Sequence, residues 1–204
     1  MSTHDEKSLF SILCSEKWSW GEWVGPDYIQ FSPDGTGEVV LYGQFWPYLA
    51  LVFTWGASDI LSQQITLHPG PEPGAEPRTL ARFSFTVKLT RRCAPSWEPW
   101  FVDREKHNAP LLIDAAFSPR KLNVSLEEGH FPAPEEALGM ETTDARQTYR
   151  CGRFALRLCF DESPFPRESD WKEFPGPGSN RQSWLWHTFV NRKLSRRPED
   201  SDFS

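Results

Sequence analysis

The chain lacks the features that would commit it to a membrane, a metal or a nucleotide. No run approaches the roughly 18 consecutive apolar residues of a spanning helix, so a transmembrane helix is excluded and no membrane partner is expected. Residues Met1 to Lys7 are polar and partly acidic, with no basic stretch leading into an apolar one, and do not read as a secretory signal. Basic residues are scattered and the formal net charge is −6. Neutralising a phosphate backbone needs clustered Lys and Arg, so nucleic acid is not an expected partner. The basic run from Arg192 to Arg197 stands beside acidic residues and reads as a solvated helix end.

Cysteine is sparse: Cys14, Cys93, Cys151 and Cys159, with no Cys-x-x-Cys. On one strand Cys151 and Cys159 would share a face but stand roughly 26 Å apart, too far for a disulfide. Reduced thiols and a cytoplasmic location are the expectation, which leaves Asn123-Val124-Ser125 a glycosylation sequon in form only. The five histidines are widely spaced, with no His-x-His or His-x-x-x-His, so no metal site is expected. Gly-x-Ser-x-Gly, phosphate-loop and dinucleotide fingerprints are also missing. That weighs against the common hydrolase, kinase and dehydrogenase chemistries, and no cofactor is expected.

What the chain has in quantity is aromatic side chains. Ten Trp and fifteen Phe stand among 204 residues, enough ring area to build a core despite eighteen prolines. Length and composition fit one domain over residues 1–195, with 196–204 a disordered polar tail and no internal repeat.

Residues 3 to 14 open with Thr3 and Glu6 at capping-box spacing and continue with Leu9, Phe10 and Leu13, which predicts a short helix. The period then becomes two. Trp23, Ile29 and Phe31 share one parity, with Gly25-Pro26 as a bend, and Asp34-Gly35-Thr36-Gly37 predicts a hairpin turn into a second strand. Leu49, Leu51, Phe53 and Trp55 share a face of a third. A weaker strand is expected at 63–68, before a loop whose prolines and glycines forbid pairing. Ala81, Phe83, Phe85, Val87 and Leu89 alternate with Arg82, Ser84, Thr86 and Lys88, one face dry and one wet. Strands are also expected at 111–117, 121–128 and 149–160. At the C-terminus Leu185/Phe189 and Trp186/Val190/Leu194 fall at helical spacing, which predicts a terminal helix docked through Trp184 and Trp186. The expected fold class is mainly β: one antiparallel up-and-down β-barrel of about eight strands with a helix at each end, closed because closure removes exposed edges.

An N-terminal helix, then Gly21-Glu22-Trp23 at the first strand, then up-and-down strands resembles the lipocalins and the wider calycin superfamily. The resemblance implies that Trp23 plugs the closed end of the barrel with Arg153 or Arg157 across its ring. The family's Thr-Asp-Tyr-type turn and its usual disulfide are absent, so what carries over is architecture, not secreted transport.

From these residues the expected function is binding of a small apolar or aromatic molecule among Phe31, Leu49, Phe53, Trp55, Phe83 and Phe85, unless those rings fill the barrel solidly. The alternative is a cofactor-independent cyclase or isomerase of a hydrophobic metabolite. Its candidate catalytic group is Asp114, an acid or base if it faces inward with Leu112 and Ala116, and merely solvated if Ile113, Ala115 and Phe117 do. A third reading is a protein-interaction module presenting proline loops and a Trp-rich tail. Ligand identity and oligomeric state are not encoded in any motif.

Overall fold

The computed structural model describes residues 5–21, 27–42, 47–57, 60, 62–68, 74–100, 112–134, 153–172 and 182–194. In chain order its elements are β1 (Asp5–Ser8), α1 (Leu9–Ser15), β2 (Trp18–Ser19), β3 (Tyr28–Phe31), β4 (Thr36–Tyr42), β5 (Pro47–Gly56), β6 (Gln64–Leu67), β7 (Arg78–Cys93), β8 (Arg120–Phe131), β9 (Phe154–Phe160) and β10 (Thr188–Lys193). Eight strands form an all-antiparallel sheet that closes in a ring, in the order β10-β2-β3-β4-β5-β7-β8-β9. The other two, β1 and β6, pair with each other.

Local chemistry explains the best-formed parts. At the β3–β4 turn Asp34 Oδ1 accepts from Thr36 N at 2.9 Å and Thr36 Oγ1 at 2.6 Å, and Gly35 supplies the positive φ of +81° that the turn requires. Gly37, opposite Phe53, leaves room for that ring: a Cβ there would collide with the Phe53 ring and with the Gln30 carbonyl. Along β7 the expected alternation holds, with Ala81, Phe85, Val87 and Leu89 buried and Phe83 half-buried between them. The inward residues of the ring strands join Leu9, Ile12 and Leu13 of α1 in one apolar core.

Where β5 ends and β2 begins, α1 lies against the wall: Phe10 stacks on Trp55 at 5.8 Å, and Trp18 Nε1 donates to the Leu13 carbonyl at 3.1 Å. Where β8 begins, Arg120 donates to the carbonyls of Ser163, Pro164 and Phe165 at 3.3, 2.9 and 3.0 Å. These bonds seat the fully buried Phe165 against Trp186 and Phe189.

Four expectations need correction. There is no C-terminal helix among the described residues: a single 3-10 turn, Ser183–Leu185, leads into β10. Phe189 faces the interior, while Val190 packs on Phe131, Ala133 and Phe154 outside it, so β10 is buried on both faces and shows no period of two. Such an apolar run mimics a helix in spacing, and its aromatic and β-branched content is the better guide. The expected strand at 111–117 is a 3-10 turn, Asp114–Phe117, preceded by an isolated bridge from Leu112 to Trp171. Leu112 and Ala116 are buried while Asp114 and Ala115 are exposed, a helical rather than an alternating pattern. Glu6 lies in β1 opposite Thr66 instead of capping a helix from Thr3; the cap is Ser8, whose Oγ accepts from Ser11 N at 3.1 Å. Finally, β6 alternates as expected but pairs outside the ring. The expected eight strands are thus matched in number, with β2 and β10 standing in the ring where 63–68 and 111–117 were expected. Trp23 and residues 196–204 lie outside the described residues.

Gly37→Ala is expected to destabilise the protein by about 1–3 kcal/mol, since backbone and an aromatic ring must both yield. Gly56→Ala, where a Cβ meets nothing within 4 Å, should stay within about 0.5 kcal/mol. Urea unfolding of the two variants checks the pair.

Candidate functional site

The six residues expected to bind a ligand come together in one core cluster. Phe31, Leu49 and Phe53 are at most 1 % exposed, and Phe85 and Trp55 are nearly so. They pack ring against ring: Phe31 meets Phe53, Trp55 and Phe85 edge-on at 5.6, 5.2 and 5.5 Å. The contacts continue from Phe85 to Phe160 at 6.3 Å, to Phe189 at 5.6 Å, to Phe165 at 5.7 Å and to Trp186 at 5.7 Å. They end in Trp186 stacked on Trp20 at 3.7 Å. Edge-to-face and stacked geometries of this kind suit the aromatic quadrupole and make these rings a packed core.

Phe83 differs. It stacks on Phe85 at 6.0 Å but remains half-buried, and with Phe160 it lines a cleft of about 650 Å³. The inward row Phe83–Val124–Phe160 runs across β7, β8 and β9 by direct register. Around it stand Gln63, Arg82, Ser84, Asn123, Ser125, Cys159 and Asp161. The alternation of β7 marks Arg82 and Ser84 as wet, but only cross-strand register brings them beside Asn123 and Cys159.

Two titratable groups of this cleft, Cys159 and Asp161, are held in their ordinary neutral-pH forms. Burial pushes the Cys159 thiol up, which keeps it protonated. Burial also pushes Asp161 up, but hydrogen bonds outweigh it and hold its carboxyl below the usual range. Those bonds come from Asn123 N at 2.9 Å and Asn123 Nδ2 at 2.5 Å. Neither group is poised to exchange a proton near neutrality.

Asp114 does not face the interior. Its side chain is 93 % exposed and pairs with Arg91 at 2.6 Å, so it lacks the burial an acid–base role would draw on. Arg157 lies outside the ring: Nη2 and Nε bind Glu127 Oε2 at 2.6 and 3.0 Å, and the guanidinium stands 4.2 Å from the Phe131 ring centroid. Arg153 is half-buried, its carbonyl accepting from Leu194 N at 2.7 Å. The Trp23 these arginines were expected to cover lies outside the described residues.

Two polar clusters are assembled only by the fold. Glu128 is 6 % exposed, accepting from His68 N at 2.7 Å and Arg78 Nη2 at 2.8 Å, which ties the end of β6 to β7 and β8. On the outer face the Tyr28 hydroxyl bonds Glu38 at 3.1 Å and Ser96 at 3.0 Å, beneath Lys17, whose Nζ is 4.1 Å from the ring centroid. Among the described residues no group of three or more His, Cys, Asp or Glu could hold a metal.

Among the described residues the fold is thus mainly β, an eight-stranded antiparallel ring with one short α-helix. No family model matches the chain, and no curated protein or solved structure matches it either.

Burial pushes the Tyr28 phenol up to about 12, against the opposing hydrogen bond from Ser96. An unfolded tyrosine ionises near pH 10, so above that pH the unfolded chain releases a proton the folded one retains. This contribution to stability is complete below about pH 10 and is lost as pH rises towards 12. The unfolding free energy of wild type should therefore fall more steeply over that window than that of Tyr28→Phe, as urea titrations at stepped pH would show.

Proposed function

We propose that the protein is a lipocalin-like cytoplasmic binder of a small, mainly apolar or aromatic molecule, seated in the cleft at Phe83. The observation that carries this reading is the half-buried Phe83 beside the roughly 650 Å³ cleft, the one expected ligand residue not fully packed into the core. A planar guest laid against Phe83 and Phe160 gains about 25 cal/mol for each Å² of apolar surface it buries. Arg82, Asn123 and Gln63 supply the few polar contacts that would orient it.

Binding is favoured over the cyclase or isomerase alternative because Cys159 stays protonated and Asp161 ionised, so neither is tuned for proton transfer at the cleft. The interaction-module alternative has one observation in its favour, Leu185, a large apolar side chain 56 % exposed.

Titration with a neutral naphthalene fluorophore tests the reading. Wild type should raise the probe's emission with saturable binding, and Phe83→Ala should weaken the affinity about tenfold, roughly 1.4 kcal/mol. Because Phe83 is half-buried, its truncation should cost less stability than the about 3–5 kcal/mol of a fully buried Phe. No emission change with wild type, or equal binding by the variant, overturns the proposal.

A further inference from the structure

The Phe83 cleft is lined by two charged side chains, Arg82 and Asp161, and they are not equally committed. Asp161 accepts from Asn123 N at 2.9 Å and from Asn123 Nδ2 at 2.5 Å. Arg82, exposed on the outward row of β7, takes part in no hydrogen bond or ion pair among the described residues. The residue opposite it on β8 is Ser125, which carries no charge. Glu127, two residues further along β8, is held by Arg157 Nη2 at 2.6 Å. The cleft thus has a carboxylate whose bonds are made and a guanidinium whose bonds are not.

Successive residues of a strand face opposite ways, yet Arg82, Phe83 and Ser84 all line this cleft. The pairing of β7 accounts for that. β5 pairs with β7 only between Thr86 and Cys93, so the stretch from Arg82 to Ser84 is an edge that β5 does not cover. Gln63, just before β6, lines the cleft as well. A planar molecule lying across this edge reaches the half-buried Phe83 ring from one side of the sheet and the Arg82 guanidinium from the other.

We infer that the guest of this cleft is an aryl carboxylate, with its ring against Phe83 and its carboxylate on Arg82. The inference rests on the cleft reading above and adds to it the charge of the guest. A guanidinium presents parallel N–H donors that match the two oxygens of a carboxylate. The half-buried Ser84 hydroxyl, also without a partner among the described residues, is a further donor two residues along the same face. One charge is the limit. Arg82 balances a single negative charge, and Asp161 stands roughly 12 Å away, two strand spacings across and two residues along. A dianion such as a phosphate monoester would leave its second charge uncompensated in a cleft that already holds a carboxylate, so a monoanion is selected.

2-Naphthoate is the probe and 2-naphthamide, the same ring with a neutral head, its control. Fluorescence titration of wild type at neutral pH should give naphthoate a Kd about fivefold below that of naphthamide, the size of one exposed charge-assisted pair. Added salt should erase the difference by weakening naphthoate alone. Arg82→Gln should bind both probes at the naphthamide affinity of wild type. Arg82→Lys should keep only part of the preference, because an ammonium lacks the planar fork. Arg82 is exposed, so neither change should move the thermal unfolding midpoint, which verifies that the variants are folded. Phe83→Ala should weaken both probes alike and leave their ratio unchanged. Equal binding of the two probes by wild type overturns the carboxylate assignment and leaves the cleft reading standing. A preference that survives in Arg82→Gln also overturns the assignment, by placing the anion on another residue. Binding of neither probe overturns the cleft reading and this inference with it.

Discussion

The ring closes through its narrowest contact, Val190 of β10 against Ser19 of β2. Everything inside depends on that seam, because an open sheet would leave two edges and a core exposed along one side. Backbone pairing there is short, and side chains compensate. Trp20 lies flat on Trp186, 3.7 Å apart and 10° from parallel, with both 3 % exposed. Trp18 is fully buried and fastened to α1 through Leu13. The indoles of Trp18-Ser19-Trp20 thus clamp the place where hydrogen bonds are fewest, and large rings bury the area that a two-residue strand cannot.

The elements that could be read in advance are those whose two faces differ. β7 has a dry and a wet side, and its expected alternation from Ala81 to Leu89 is observed apart from Phe83 and Ser84, both half-buried. The β3–β4 turn was readable because Asp34 and Gly35 have a local reason to be there. Where tertiary packing removes the contrast, the pattern misleads. β10 has Phe189 in the core and Val190 beneath Phe131 and Phe154, and its apolar positions fall at spacings a helix would also produce. Residues 112–117 fail for the opposite reason: two alanines and a solvated Asp114 give a strand little to bury, and a 3-10 turn satisfies the backbone locally.

The candidate site was only half visible for a related reason. Composition pointed to an aromatic interior, and Phe31, Phe53, Trp55 and Phe85, grouped by parity, are buried in it. Whether those rings enclose space or fill it depends on angles between side chains from different strands, which no single strand encodes. The edge-on contacts of Phe31 with Phe53, Trp55 and Phe85 use the volume a central ligand would need. Polar neighbours such as Arg82 on β7, Asn123 on β8 and Asp161 just past β9 are far apart in sequence, and only the pairing of these strands joins them.

This arrangement separates the strength of the ring from its accessibility. The cleft sits on β7, β8 and β9, a wall paired continuously from Ala81 opposite Leu126 to Val87 opposite Arg120. In the proposed reading a guest held there would rest on the β8 backbone, paired on both sides, and its binding would require no opening of the β2–β10 seam. Asn191, a polar side chain buried in the wall, occupies the contrasting position, next to the seam, between Leu156 and Trp18. Beside it Arg192 adopts a φ of +59°, the only left-handed non-glycine conformation among the described residues. A buried amide and a strained residue thus adjoin the narrowest pairing, and both draw on stability that the indole clamp supplies. That concentration of cost makes the seam the place where local opening should begin, while the Phe83 wall stays closed.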